Sequence, residues 1–89
     1  MTKIARSDLK KGMKLALQCD DGSRVLMRVR GNHHVHGVTV VLKSPSKLKG
    51  VRGILETPHI EERGIVSIRG IETRETMEFG PLESFEVRG

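Results

Sequence analysis

Aromatic residues are almost absent from this 89-residue chain: Phe79 and Phe85 are the only two, with no Trp or Tyr. Two exclusions follow. The interior must be filled by Val, Ile, Leu and four Met. A stacking platform for single-stranded bases, the device of RRM, cold-shock and typical OB-type binders, is also missing. Cysteine is the next scarcity. Cys19 stands alone, so no intramolecular disulfide is available and a reducing, cytoplasmic setting is expected. Long apolar runs are missing too. Nothing approaches the roughly 20 apolar residues of a membrane-spanning helix, and the opening MTKIARSDLKKG has no apolar core for an export signal. No segment sustains a helical period.

Catalytic signatures are equally scarce. There is no G-x-S-x-G, P-loop or G-x-G-x-x-G. A chain this short buries only roughly 60–65% of its unfolded surface, which leaves little room for an enclosed substrate cavity. A non-enzymatic protein without a cofactor is therefore expected, built as one domain over residues 1–89.

Positive charge is plentiful. The net charge is +5 and the isoelectric point about 9.9. Residues 1–54 carry twelve Lys/Arg against three Asp, a balance of +9, whereas residues 55–89 carry four Arg against eight Glu, a balance of −4. Such asymmetry points to an anionic partner for the first part.

Ten glycines punctuate the sequence, most of them separated by short runs rich in Val, Ile, Leu and Thr. Short strands with regular turn signals indicate a sandwich or barrel. The clearest pattern is MKLALQCDDGSRVLMRV. Met13, Leu15, Leu17 and Cys19 alternate with Lys14, Ala16 and Gln18; Val25, Met27 and Val29 alternate with Arg24, Leu26, Arg28 and Arg30. An even-numbered loop would mix the two faces. A three-residue loop, Asp20-Asp21-Gly22, keeps them apart, with Gly22 in the left-handed position of a type I turn plus bulge. That register pairs Leu17 with Val25, Leu15 with Met27 and Met13 with Val29 inward, and Lys14 with Arg28 and Gln18 with Arg24 outward.

Further strands are expected over 35–42 (inner face Val38, Val40, Leu42), 51–56, 65–69 and 75–79. The second hairpin is read as turning at Asn32-His33, pairing Gly31 with His34. KSPSKLKG at 43–50 reads as a polar loop. TPHIEERG at 57–64 reads as one capped helical turn, with Thr57 and Pro58 opening it, or as a tight loop. PLESF reads as a short helical turn. The fold class is all-β: a small antiparallel barrel or roll of five to six short strands, SH3-like in scale.

Three constellations could carry chemistry. The first is RGNHHVHG. His34 and His36 share a strand face and could ligate one metal, with Cys19, His59 or a carboxylate as the third ligand zinc requires. No candidate falls at a diagnostic spacing, so a solvated hairpin tip is favoured. The second is basic. Arg24, Arg28 and Arg30 project from one face with Lys14, and Lys47, Lys49 and Arg52 lie on or after the following loop, with Lys43 at its start. Of these, Lys14, Arg24, Arg28, Arg30, Lys47, Lys49 and Arg52 are the expected phosphate contacts, assisted by His33 and His34, whose protonation neighbouring cations disfavour until an anion binds. DNA or RNA would be gripped by its backbone, with weak sequence preference; an acidic protein is the competing partner. The third is the acidic C-terminal part. Glu72, Glu75, Glu78 and Glu83 could meet a basic partner or the basic face of a second copy, head to tail, and Leu26 and Val41 are apolar residues facing outward. No membrane contact is expected.

Overall fold

The structure, a computed structural model, describes residues 3–5, 8–34, 37–55, 59–61 and 64–89, with the backbone alone described at 3–5, 32–34 and 59–61. Eight strands follow in chain order: β1 (Lys3–Ala5), β2 (Lys14–Cys19), β3 (Arg24–His34), β4 (Gly37–Ser44), β5 (Arg52–Leu55), β6 (His59–Glu61), β7 (Ile65–Gly70) and β8 (Thr76–Arg88). Six of them close into an antiparallel barrel in the order β2-β3-β4-β5-β7-β8, with β8 returning to pair with β2. These are the six strands expected from alternation. β1 and β6 form a separate two-stranded antiparallel sheet. Among the described residues no helix is long and apolar enough to cross a membrane.

The first hairpin has the expected register: Lys14 lies opposite Arg28, Leu15 opposite Met27, Leu17 opposite Val25 and Gln18 opposite Arg24. Its turn is also as expected. The Gly22 amide donates to the Cys19 carbonyl (3.1 Å), and the Cys19 amide to the Ser23 carbonyl (2.9 Å). Gly22 has φ of 92°, the left-handed value that the bulge position demands. The far end of the same strand pair repeats the device. Gly12, also at φ 92°, donates to the Val29 carbonyl (2.9 Å), while the Val29 amide donates to Met13 (2.8 Å). A glycine bulge thus bounds the β2–β3 pair at each end.

The core is aliphatic, as the shortage of aromatics requires. Leu15, Leu17, Val25, Met27, Val29, Val38, Val40, Leu42, Leu55, Val66, Ile68 and Leu82 are buried, and Leu9 caps them from outside the strands. Phe79 and Phe85 are only half-buried and pack against this cluster from its margin.

Several expectations are corrected. The second hairpin does not turn at Asn32-His33: β3 runs on to His34, and His34 pairs with Gly37. Register shifts between Val29 and Gly31, and again between Gly31 and His34, insert extra residues into β3. Bulges of this kind break the period of two on which the shorter hairpin was counted. His36 lies outside the described residues. β4 begins at Gly37 and extends through Lys43 and Ser44, which the expected loop had claimed; Ser46–Leu48 is a short 3-10 helix. Thr57 and Pro58 lie outside the described residues, but His59–Glu61 is strand, not helix. PLESF is likewise strand. Pro81 sits opposite Ile65 beside a register shift that leaves Gly80 as the extra residue, a place where a strand tolerates a residue without an amide proton.

Candidate functional site

The outer wall of β8, β2 and β3 carries three successive cross-strand rows. Arg88, Lys14 and Arg28 stand side by side in the first. Glu86, Ala16 and Leu26 form the second, and Ser84, Gln18 and Arg24 the third. Strands lie about 4.8 Å apart, so the three cations of the first row fall within about 10 Å of one another along the wall. Lys43 closes the β4 side. It is the extra residue where the β3–β4 register shifts between Leu26 and Met27, and a bulge re-aims the side chain it carries.

Together these residues enclose an open groove of ≈ 330 Å³, lined by Lys14, Ala16, Arg24, Leu26, Arg28, Lys43, Glu86 and Arg88 with edges of Leu15 and Met27. Its floor is apolar and half-buried at Ala16 and Leu26. Five cations surround that floor, and Glu86 is the one carboxylate among the lining residues. The Arg88 Nε donates to Glu86 Oε1 at 2.8 Å. This bond, with the charge of Arg88 and the more distant Arg24, holds the Glu86 carboxyl below the usual carboxylate range; Glu86 in turn raises Arg88. Lys14, Arg24, Arg28 and Lys43 make no ion pair among the described residues.

The expected contact residues divide accordingly. The fold brings Lys14, Arg24 and Arg28 together in the groove. Arg30 is exposed one step further along β3, beyond the lining. Lys47 and Lys49 are exposed on and after the 3-10 helix, outside it. Arg52 lies in register with Val41, which separates it from Arg28. Its Nε donates to Glu72 Oε1 at 3.0 Å and its Nη2 bonds the same oxygen, which holds Glu72 below the usual carboxylate range. Arg52 is therefore already neutralised locally. His33 and His34 belong to β3 beyond Gly31, where the backbone alone is described.

Two groove cations were not anticipated as contacts. Arg88 could have been found from the alternation of Phe85 and Val87 with Ser84, Glu86 and Arg88. Lys43 could have been found as the continuation of the outward series Thr39 and Val41. The punctuation at Gly80-Pro81 and at Pro45 obscured both.

Among the described residues no group of three or more His, Cys, Asp or Glu is placed to hold a metal ion. Cys19, once a candidate third ligand, is buried with its thiol 3.6 Å from the Phe79 carbonyl. It also lies at the opposite end of the hairpin from His34. Ten residues of β3 separate Arg24 from His34, on the order of 30 Å of strand.

No family model, curated protein or solved structure matches the chain.

Proposed function

We propose that the chain is a non-enzymatic binding module that grips the phosphate backbone of DNA or RNA, with weak sequence preference, in the β8–β2–β3 groove. One observation carries this reading: four cations without ion-pair partners among the described residues, Lys14, Arg24, Arg28 and Lys43, converge on a groove with a single carboxylate. Like charges placed directly opposite, as Lys14 and Arg28 are, oppose the pairing of β2 with β3 by a few tenths of a kcal/mol. An anion between them reverses that sign. Local conflicts of this sort concentrate at functional sites. The absence of aromatic platforms argues for backbone contact over base stacking. Arg30, exposed one step further along β3, extends the basic track beyond the groove.

A second reading rests on the floor. Half-buried Ala16 and Leu26 beneath a ring of cations also suit an acidic protein with an apolar side chain at its centre, since protein interfaces place apolar groups at the core and charge at the rim.

A titration at low salt with generic single- and double-stranded DNA and RNA, followed by NMR, separates the two. The backbone reading expects shifts at Lys14, Arg24 and Arg28 with every oligonucleotide. It also expects a log–log salt slope of about −3 to −4, as about four phosphate contacts require, and loss of binding in Arg28→Glu. Shifts confined to another face, or none at low salt, overturn it; retention of an acidic protein with no oligonucleotide affinity establishes the second reading instead.

A further inference from the structure

The groove contains its own competitor. Glu86 occupies the β8 end of the floor row, beside Ala16, and its carboxylate takes the Nε donor of Arg88 at 2.8 Å. Arg88 belongs to the cation row, next to Lys14. It differs from its neighbours in one respect: Lys14 and Arg28 have no carboxylate on them among the described residues, whereas Arg88 already has one. The partner is contributed by the same strand two residues earlier, so it is present whenever β8 is formed.

We propose that Glu86 sets the affinity of the groove by withholding Arg88 from the ligand, so that a bound phosphate backbone must displace the Glu86 carboxylate before Arg88 can contact it. The inference rests on the nucleic-acid reading above. Its chemistry is simple exchange. A phosphate oxygen and a carboxylate oxygen compete for one guanidinium, and the guanidinium fork suits either. The latch is breakable, because both side chains stand in solvent, Arg88 at 69% and Glu86 at 55% exposure, and exposed ion pairs are weak. A polyanion seated on Lys14 and Arg28 brings its next charge to Arg88 at high local concentration, which is how a second contact follows a first. Until then Glu86 keeps one of the five groove cations neutral and favours release.

The test compares two variants with the same change in net charge. Glu86→Gln frees Arg88, whereas Glu78→Gln removes a carboxylate from an exposed β8 position paired with Ser67, outside the groove. Binding of a short polythymidylate is measured across salt concentrations, with the Arg88 Nε–H resonance followed in parallel. Glu86→Gln is expected to tighten binding roughly three- to ten-fold, because Arg88 no longer has to be released from a carboxylate before it meets the phosphate. Glu78→Gln should change affinity by less than about two-fold, as a remote screened charge does. In the native chain the Arg88 Nε–H resonance should move on binding, as the pair opens. Binding by the native chain with Glu86→Gln no tighter than Glu78→Gln, or with an unmoved Arg88 resonance, overturns this inference and leaves the reading standing. No binding by the native chain or either variant overturns both.

Discussion

The two faces of the β2–β3 hairpin are made from one backbone ladder and behave as different materials. Inward, Leu15, Leu17, Val25, Met27 and Val29 are at most 1% exposed and interlock with β4, β7 and β8. Outward, Lys14, Arg24 and Arg28 stand in solvent around a shallow floor of Ala16 and Leu26. The inner face is satisfied within the chain; the outer face sets like charges abreast, Lys14 opposite Arg28. Alternation in the sequence thus separates the buried side chains from the charged ones along a single strand, so each face can be altered without the other.

The sharpest way to break that division is from inside. Leu17→Ala removes a fully buried side chain at the centre of the pair and should destabilise the fold by about 2–5 kcal/mol. Chemical denaturation measures the loss, and the folded fraction should retain its affinity for oligonucleotide. Next comes the register itself. Gly22→Ala forces an L-residue with a Cβ into the left-handed bulge position and should cost about 1–2 kcal/mol. If the register is held by the inner face, the outward pairs and the binding slope survive this change. A test from outside follows. Lys14→Gln relieves the conflict with Arg28 and should leave stability within about 0.5 kcal/mol of the native chain. It should nevertheless lower the magnitude of the salt slope by about one unit and weaken binding evenly across sequences.

The smallest effect is expected at the turn that joins the faces. The hydroxyl and amide of Ser23 donate to Asp21 Oδ1 at 2.6 and 2.9 Å and hold its carboxyl below the ordinary value of 3.8. A carboxyl lowered on folding binds its proton more weakly in the folded chain than in the unfolded one. The stability it contributes is therefore fully present above pH 3.8 and is lost as the pH falls through the lower, folded value. Asp21→Asn keeps an acceptor for Ser23 but removes the titration, so its unfolding free energy should depend less on pH between about 2 and 4 than that of the native chain.

How much of this was legible depends on where alternation runs unbroken. The first hairpin obeys a strict period of two and ends in Asp-Asp-Gly, so pattern and turn chemistry specify one register. Lys14, Arg24 and Arg28 were placed together on that basis alone. β3 beyond Val29 and β8 around Gly80 and Glu83 carry bulges, and each bulge shifts the phase by one residue. A reading by period ends a strand at such a point, which leaves the second hairpin too short and turns PLESF into a helical turn, so that the strand carrying Arg88 goes unseen. β1 and β6 have three residues each, too few for any period to show. The pairing of Arg52 with Glu72 was illegible for a different reason: twenty residues separate them, and only closure of β5 against β7 brings the 71–73 turn to Arg52.

Closure has a consequence for how this chain can meet others. A peptide or a second chain commonly joins a sheet by lengthening it, hydrogen-bonding its own backbone to an open edge, and the same exposed edges seed aggregation. Each of the six barrel strands has a neighbour on both sides, so none of them presents a wholly open edge. The groove on its wall is lined chiefly by side chains of β2, β3 and β8. A surface of that kind is tuned by single substitutions, and its selectivity can drift without disturbing the scaffold that carries it.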